Sequence, residues 1–363
     1  MGATFDTEHK ANWWHAHPQS GKVVCTLCPR QCHIPAGGRG FCFVRANADG
    51  KLVLTTYGRS SGFCIDPIEK KPLAHFLPGT PVLSLGTAGC NLGCRFCQNW
   101  DISKSREMDR LTGEAGPEQI VAAAKETGCR SIAFTYNDPV IWAEYAIDIA
   151  RVARREGIRT VAVTAGYISP EPRQAFFEHI DAANVDLKAF EETFCRKLTQ
   201  THLAPVLETI RYLANETGVW TELTTLVIPG QNDSPGEIRR MCDWVVETCG
   251  PDVPMHFTAF HPDYRMKDIP PTPAESLVEA RDVAMDAGVR FAYVGNVHDP
   301  MRESTWCPSC GELLIERSWH ELGRWGLKGN RCGSCGETIP GVFEARPGRW
   351  GRRRQPVMVG ESR

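Results

Sequence analysis

The sequence lacks any apolar run long enough to cross a membrane. A transmembrane helix needs about 18 to 20 consecutive apolar residues, and the 363-residue chain has no such stretch. The first 20 residues are polar, contain Trp13 and Trp14, and lack the apolar core of a secretion signal. The sequence therefore predicts a soluble, cytoplasmic protein with no membrane partner.

The chain also lacks an excess of either charge. Its 41 basic and 43 acidic residues give a formal net charge of -2, so the protein as a whole does not attract nucleic acid or acidic lipid, and any such contact would have to be local. We therefore do not expect nucleic acid as a partner. Hydrophobic residues make up 42% of the chain and charged residues 23%, as in ordinary globular proteins.

Cysteine, in contrast, is abundant. Without a secretion signal, the 16 cysteines indicate metal ligation in a reducing compartment rather than disulfides. Eleven of them form three groups: Cys25, Cys28, Cys32 and Cys42; Cys90, Cys94 and Cys97; and Cys307, Cys310, Cys332 and Cys335. The other five are scattered, and we interpret them as small buried hydrophobic residues.

The middle group directly follows the apolar run Val82–Leu85 and places three cysteines within eight residues. Thiolates are soft ligands that suit zinc and iron–sulfur clusters. A structural zinc or a purely electron-transferring cluster normally has four protein ligands, so three ligands leave one metal position open. Two interpretations follow: a structural zinc completed by a distant Cys or His, or a [4Fe–4S] cluster with one free iron.

At these residues the sequence resembles the radical S-adenosylmethionine (SAM) superfamily, whose signature is three cysteines at this spacing with an aromatic residue, here Phe96, before the last. The resemblance implies that the open iron binds the amino and carboxylate groups of SAM. It also implies that the reduced cluster cleaves SAM to a 5′-deoxyadenosyl radical, which abstracts hydrogen from a substrate. An electron donor such as flavodoxin or ferredoxin is then expected as a partner.

From residue 82 to about 299, short β-type runs alternate with stretches of helical period, as in βα units. This pattern predicts an α/β fold with a partial or complete TIM-type barrel. The predicted strands are Pro81–Gly86, Ser131–Thr135, Thr160–Thr164, Ala183–Leu187, Thr221–Val227, Met255–Ala259 and Arg290–Val294. Predicted helices include one that begins at Pro117, one over Pro139–Glu156 and one capped by Ser234.

Loops after the strands build the active site in such a barrel, and polar residues do occur near the predicted strand ends. Asp186 and Lys188 alternate with Leu187, so both point to one side of the strand end and could pair with the charged groups of an amino acid. For Asp138, a helix N-cap is the alternative. The predicted SAM-binding residues are Asn137, Asp138, Thr164, Asp186, Lys188 and His256, and no catalytic residue is assigned beyond the cluster ligands.

Asp186-Leu187-Lys188 resembles the Asp-x-Lys of glycyl-radical-enzyme activases such as the pyruvate formate-lyase activating enzyme, which implies contact with the amino acid part of SAM. Tyr136-Asn137-Asp138-Pro139 stands where those enzymes carry Gly-Gly-Glu, so the chain departs from the pattern there. The resemblance leaves two substrate classes, a glycyl residue of a partner protein or a small molecule.

Between Cys25 and Gly341 the chain resembles the AmmeMemoRadiSam-system radical SAM proteins. This resemblance implies radical SAM chemistry but no particular substrate. The stretches that carry it are Cys25-Thr-Leu-Cys28-Pro, Asp66-Pro-Ile-Glu-Lys-Lys-Pro, Cys94-Arg-Phe-Cys97-Gln-Asn, Val185-Asp-Leu-Lys-Ala-Phe and Tyr293-Val-Gly-Asn-Val.

We divide the chain into an N-terminal Cys-rich module (1–80), the barrel (81–300), a four-cysteine domain (301–345) and a basic tail (346–363). The four cysteines of the N-terminal module indicate a metal knuckle. Zinc or structural iron is favoured there over a redox-active cluster, because four ligands leave no open position. The charged stretch Asp66–Phe76 predicts a solvated loop, or one whose His75 lines the mouth of the cluster site.

Near the C-terminus, two Cys-x-x-Cys-Gly motifs separated by 21 residues are typical of a zinc ribbon, with rubredoxin-like iron as the alternative. The basic tail that follows is expected to be disordered. A second function therefore stays open, that of a non-catalytic metal-binding protein that binds nucleic acid or protein through its ribbon and tail.

Overall fold

The computed structural model describes residues 9–105, 111 and 113–359. Its strands are β1 (Trp14–Ala16), β2 (Val23–Cys25), β3 (His33–Ile34), β4 (Arg45–Ala48), β5 (Lys51–Leu54), β6 (Arg59–Ser60), β7 (Phe63–Pro67), β8 (Pro81–Leu85), β9 (Gly113–Glu114), β10 (Ser131–Phe134), β11 (Arg159–Thr164), β12 (Ala182–Asp186), β13 (Trp220–Val227), β14 (Met255–Ala259), β15 (Ala292–Gly295), β16 (Thr305–Trp306), β17 (Leu313–Ser318), β18 (Glu321–Trp325), β19 (Leu327–Lys328), β20 (Arg331–Cys332) and β21 (Gln355–Val357).

The α-helices are α1 (Trp100–Ser103), α2 (Pro117–Glu126), α3 (Ala143–Arg155), α4 (Pro170–Phe177), α5 (Glu192–Phe194), α6 (Leu203–Glu216), α7 (Pro235–Cys249), α8 (Ala274–Asp286) and α9 (Pro300–Glu303). Ile68–Lys70 and Pro139–Trp142 form 3₁₀ helices, and Cys195–Thr199 forms a π-helical turn. No helix within the described ranges is both long and apolar enough to span a membrane.

A nine-stranded sheet organises the fold, in the order β15-β14-β13-β12-β11-β10-β8-β7-β21. The seven strands from β8 to β15 in this sheet are parallel, whereas β7 pairs antiparallel with β8 and β21 pairs antiparallel with β7. The predicted α/β fold is confirmed. The edge strands of this sheet, β15 and β21, do not pair with each other among the described residues, so the sheet is open. Of the two predicted forms, the partial barrel is therefore the one observed.

All seven predicted strands are present, with ends that differ from the prediction by two residues or fewer. The helix predictions are confirmed as well, although Pro139–Trp142 winds as a 3₁₀ turn before α3. The Ser234 side chain accepts a hydrogen bond from the Glu237 amide, which is the predicted N-cap of α7.

Alternate residues of the parallel strands pack on opposite faces of the sheet, as strand geometry requires. Leu83, Leu85 and Phe134 belong to the large core shared with helices α2 and α3. Val82 and Ala133 instead belong to a second core on the other face. The residues that cover this second face are Ile68, Leu73, Phe76 and Leu77.

This covering segment corrects the prediction of a solvated charged loop over Asp66–Phe76. Asp66 and His75 are fully buried and Lys71 is 3% exposed. Their polar groups have partners: Lys71 Nζ lies 2.7 Å from Asp66 Oδ2, and the His75 ring bonds to Pro340 O and Tyr293 Oη. These three polar side chains can be buried because each has an ion-pair or hydrogen-bond partner inside the protein. His75 therefore lies inside the protein rather than at an open mouth.

The N-terminal module is continuous with the rest of the protein. Val23, Leu27 and Ile34 lie in the same core as the helices of the main sheet, and Arg45 forms a buried salt bridge of 2.5 Å with Glu144 of α3. In addition, β7 lies before residue 80 but is a strand of the main sheet.

The four-cysteine domain folds as the sheet β16-β17-β18 and the hairpin β19-β20, and its core includes Phe291 and Tyr293 from the β15 region. The tail corrects another prediction, since its residues 346–359 are described and β21 pairs with β7. The edge of β7 offers unpaired backbone groups that such a strand can satisfy. Residues 360–363 lie outside the described residues.

Candidate active site

The loop that carries Cys90, Cys94 and Cys97 leaves the C-terminal end of β8, the first parallel strand, and leads into α1. It runs very close to its neighbours. A side chain at Gly86 would collide with the Thr135 carbonyl, and one at Gly89, where φ is +80°, would collide with the Cys42 carbonyl. The loop is therefore held between the end of β10 and the N-terminal module.

Asn137 fixes the first half of this cluster loop. Its Oδ1 accepts a hydrogen bond from the Thr87 amide at 3.2 Å, and its Nδ2 donates to the Gly89 carbonyl at 2.8 Å. The second half is fixed by the π-helical turn, because the Gly93 and Arg95 amides donate to Thr199 O and Leu198 O. The structure thus places Asn137 next to the cysteines, with its amide engaged by the loop itself.

Of the three cysteines, Cys94 is buried, whereas Cys90 and Cys97 are partly exposed. Burial raises the pKa of Cys90 and raises that of Cys94 to about 12, although Lys104 and Lys188 act in the opposite direction. Cys90 Sγ accepts a hydrogen bond from the Leu92 amide at 3.4 Å, and Cys97 Sγ lies 3.0 Å from Ser103 Oγ. Thiols of this kind become good ligands when a metal displaces their protons.

These donors do not form a site for a single ion. Across the described ranges, the groups of donor atoms that lie within 4.8 Å of one another include none of Cys90, Cys94 or Cys97. The structure therefore does not assemble the structural zinc site that was the alternative for this loop. Three soft donors without a fourth protein ligand fit a larger inorganic centre with an open position.

Asp186 and Lys188, at the end of β12, meet as the strand alternation predicts. Lys188 Nζ lies 2.7 Å from Asp186 Oδ2 and 5.9 Å from the centre of the Phe96 ring. Burial lowers the pKa of Lys188, but Asp186 and then Cys94 outweigh it and raise the pKa above its ordinary value. Lys188 therefore remains a cation beside the thiols.

Asp138 and Thr164 tie two strand ends together. Asp138 Oδ1 accepts hydrogen bonds from the Val140 amide at 3.1 Å and from Thr164 Oγ1 at 2.8 Å, and its Oδ2 accepts one from the Ala165 amide. Burial raises the pKa of Asp138 to about 6. The N-cap role of Asp138, which was the alternative to SAM binding, is confirmed.

His256 lies elsewhere in the same sheet. Its Nε2 is 2.7 Å from Glu222 Oε2, and its ring stacks on Tyr293 with 5.2 Å between centroids. Burial opposes ionisation of Glu222, but His256 outweighs it, so the pKa of Glu222 falls to about 2. His256 lines a pocket between the sheet and the four-cysteine domain, together with Arg317 and Trp319, and none of the three loop cysteines lines it.

Sequence reasoning missed one polar group, formed by Asp66, Lys71 and Tyr136. Tyr136 Oη donates to Asp66 Oδ2 at 3.0 Å, and Tyr136 lies two residues after the end of β10. Its φ of +71° is unusual for a bulky residue and is a form of strain that often occurs at functional sites. The charged stretch was visible in the sequence, but its pairing across 70 residues was not.

The four C-terminal cysteines do form a compact site. Their donor atoms all lie within 4.8 Å of one another, with Cys307 Sγ 3.6 Å from Cys335 Sγ and Cys310 Sγ 3.7 Å from Cys332 Sγ. A tetrahedral ion bound at a metal–sulfur distance of about 2.3 Å requires sulfur–sulfur distances of about 3.8 Å. This set can therefore hold one tetrahedral metal ion.

Comparison with known proteins agrees with this geometry. Residues 84–244, which include the cluster loop and the Asp186–Lys188 pair, match the model of the radical SAM superfamily. An uncharacterized protein of Methanocaldococcus jannaschii is 42% identical over 320 residues, which cover 88% of this chain and 95% of that protein.

More distant relatives include two activating enzymes. The isethionate sulfite-lyase activating enzyme of Oleidesulfovibrio alaskensis is 23% identical and covers 61% of this chain and 72% of its own length. The pyruvate formate-lyase 1-activating enzyme of Escherichia coli is 22% identical, with 56% and 89% covered. Among solved structures, a radical SAM methyltransferase from Sphaerobacter thermophilus has a TM-score of 0.48 at 18% identity, with 66% of this chain and 71% of that chain covered.

The superfamily model spans the three-cysteine loop, and the 42% identical relative is matched over nearly its whole length. The chain belongs to the radical SAM superfamily.

Proposed function

We propose that this enzyme holds a [4Fe–4S] cluster on Cys90, Cys94 and Cys97 and binds SAM at the position that these ligands leave open. When bound, the cluster and SAM supply the chemistry, a reductive cleavage that yields a 5′-deoxyadenosyl radical for hydrogen abstraction. The observation that carries the proposal is the set of three soft donors at the end of the first parallel strand, without a fourth protein ligand at single-ion spacing within the described residues.

Within this proposal, Asp186 and Lys188 bind the amino acid part of SAM. Their side chains keep 32% and 19% of their surface exposed, so they can exchange part of their mutual contact for the ammonium and carboxylate of a ligand. Lys188 also offsets the negative charge of the thiolates, since it lies within electrostatic range of Cys94 and Cys97.

Three of the predicted SAM-binding residues instead position the SAM site through contacts within the protein. They are Asn137, Asp138 and Thr164. Asn137 fixes the cluster loop, and Asp138 joins the end of β11 to the turn that follows β10. All three side chains are buried and bonded to protein groups. His256 lines the pocket between the sheet and the four-cysteine domain, and we assign it to the substrate rather than to SAM.

The substrate is a hydrogen donor of one of two classes. The names of the relatives, which include two activating enzymes, support a glycyl residue of a partner protein. The pocket between the sheet and the four-cysteine domain supports a small polar molecule, because it presents charged and hydrogen-bonding groups from Glu69, His256 and Arg317.

Deuterium transfer separates these two classes. Extract from deuterium-grown cells would be divided into protein and small-molecule fractions, and each would be added to the reconstituted enzyme with SAM and dithionite. The fraction that contains the substrate places deuterium in 5′-deoxyadenosine, as mass spectrometry would show. Label from the protein fraction alone favours the glycyl residue, and label from the small-molecule fraction alone excludes it.

The same chemistry supports proposals for the electron donor, the C-terminal metal and the cellular location. A low-potential carrier such as flavodoxin or ferredoxin supplies the electron, and zinc is the proposed metal of the C-terminal four-cysteine site. None of the 16 cysteines forms a disulfide bond, which supports a reducing, cytoplasmic location. The resemblance between Cys25 and Gly341 supports placement in the AmmeMemoRadiSam-system group.

Activity of the reconstituted protein tests the proposal directly. Anaerobic wild type with iron, sulfide, SAM and dithionite should form 5′-deoxyadenosine, and Cys94→Ala should form none, because the cluster loses a ligand. Cys249→Ala, which removes a lone half-buried thiol, should keep the activity. Lys188→Met should raise the KM for SAM more than tenfold. Wild type without product, or Cys94→Ala with normal product, would disprove the proposal.

The non-catalytic alternative, a protein that binds nucleic acid or protein through its ribbon and tail, has less support. Two arginines of the basic tail contact other residues of this protein. Arg354 Nε donates to Cys64 Sγ at 3.3 Å, and the Arg353 guanidinium lies over the Trp350 ring, 4.4 Å from its centre. That alternative expects Cys94→Ala to retain full function and wild type to form no 5′-deoxyadenosine.

A further inference from the structure

A second set of cysteines converges on one buried cavity in the N-terminal module. Cys25 ends β2, Cys28 and Cys32 lie in the turn that follows, and Cys42 precedes β4. All four line the same cavity. Every pair among them lies close enough for electrostatic interaction between the thiols. A lone buried cysteine needs no explanation, but four around one cavity do.

The spacing of these four thiols differs from that of the C-terminal set. In the C-terminal set all donor atoms lie within 4.8 Å of one another, which suits a single ion. The N-terminal four do not meet this limit and leave a cavity between them. The cluster loop of Cys90, Cys94 and Cys97 shares this wider spacing. Within one protein, the N-terminal set thus resembles the cluster loop rather than the zinc-type site.

The surroundings suit a negatively charged inorganic centre. Cys25 and Cys28 are less than 10% exposed, and Arg45, which also lines the cavity, is 1% exposed. Arg45 is held in place by Glu144, by Ile141 O and by Asn12 O. A buried cation beside four thiolates reduces the cost of burying their charge.

We propose that Cys25, Cys28, Cys32 and Cys42 hold a second [4Fe–4S] cluster, with a protein ligand on every iron. Such a cluster has no open position, so it cannot bind SAM. It can accept one electron and pass it on. This proposal differs from the preference for zinc or structural iron that the ligand count alone suggested.

The second site lies directly against the first. Arg30 Nε donates to the carbonyl of Asn91, the residue after Cys90, and Asn91 itself lines the second cavity. The Cys42 carbonyl touches Gly89, the residue before Cys90. We assign the second cluster the role of passing an electron from the low-potential carrier to the SAM site. That role rests on the proposed function, whereas the cluster itself does not.

The test uses the full chain without its SAM site. The triple variant Cys90→Ala, Cys94→Ala and Cys97→Ala would be reconstituted anaerobically beside wild type. Wild type should contain about eight iron and eight sulfide per chain, and the triple variant about four of each. After reduction, the triple variant should give a [4Fe–4S] electron paramagnetic resonance signal that SAM does not alter, while part of the wild-type signal should shift with SAM.

Other metal contents would overturn the inference. A triple variant with no iron and about two zinc per chain means a single ion at each four-cysteine site, and one with no iron and about one zinc means an empty N-terminal site. Cys249→Ser is the matched control and should keep the full iron content. An iron-free triple variant beside an active wild type refutes only the second cluster. An iron-loaded triple variant beside an inactive wild type refutes only the proposed function.

Discussion

At the scale of single residues, Asn137 shows how one buried amide can organise a metal-binding loop. It is 6% exposed, and both ends of its side chain bond to the backbone of the cluster loop. Loss of these bonds leaves a buried N–H and a buried carbonyl without partners, which costs about 1–3 kcal/mol. The loop that presents Cys90 is the segment that would loosen.

We therefore expect Asn137→Ala to destabilise the protein by about 1–3 kcal/mol and to reduce the iron that the cluster loop retains. Anaerobic denaturation with urea and iron analysis after reconstitution measure the two effects. Gln174→Ala is the control, because it removes an exposed amide side chain on α4, and it should change stability by less than about 0.5 kcal/mol. Normal iron content and stability in Asn137→Ala would show that the loop does not depend on this residue.

Residues that act through local sequence could be predicted, and residues that act through distant contacts could not. The spacing of Cys90, Cys94 and Cys97 and the alternation of Asp186 with Lys188 are properties of a few consecutive positions. The contact between Asp66 and Tyr136 depends on β7 and β10 both flanking β8. That order of strands is a property of the whole sheet, so it cannot be predicted from a pattern of neighbouring residues in the sequence.

At the scale of elements, the same distinction separates the strands that were predicted from those that were missed. The seven parallel strands are short apolar runs between helices, and this pattern locates them. The strand β21 has the sequence Gln-Pro-Val within a basic tail, so it carries no such pattern. Its proline is acceptable only because β21 is an edge strand. What makes it a strand is the free edge of β7.

Removal of residues 355–363 should therefore expose that edge. We expect faster hydrogen–deuterium exchange at Phe63–Pro67, because β21 pairs with Phe63, Cys64 and Ile65. The central strand β10 should exchange as slowly as in the full chain and serves as the internal control. Mass spectrometry of peptides after exchange gives both values. Unchanged exchange at Phe63–Pro67 would mean that β21 does not protect this edge in solution.

At the scale of the whole molecule, the four-cysteine domain covers one side of the main sheet through polar contacts. Arg317 donates to Ala74 O at 2.6 Å and to Thr305 Oγ1 at 2.7 Å, and His75 bonds to Tyr293 Oη at 2.6 Å. Two of these bonds join parts of the chain that lie 218 and 243 residues apart in sequence. The pocket that they enclose includes Glu69, whose environment makes the stability of this contact depend on pH.

Burial raises the pKa of Glu69 to about 7, although Arg317 and the Gly79 amide act against it. Glu69 Oε1 accepts from Gly79 N at 2.6 Å, and Oε2 has no hydrogen-bond partner among the described residues. Because the folded pKa lies above the ordinary value of 4.5, the native state binds more protons than the unfolded state between these values. The stabilisation is complete below pH 4.5 and is lost as the pH rises through 7.

Glu69→Gln keeps the neutral form at every pH, so its stability advantage over wild type should grow as the pH rises. From pH 5 to pH 8 we expect this difference to increase by about 2.5 kcal/mol, since one pKa unit corresponds to about 1.4 kcal/mol. Anaerobic urea unfolding of both proteins across this range measures it. Glu171→Gln on the exposed side of α4 should show no such trend. A difference that stays constant with pH would mean that Glu69 is ionised throughout, and that the domain contact tolerates its charge.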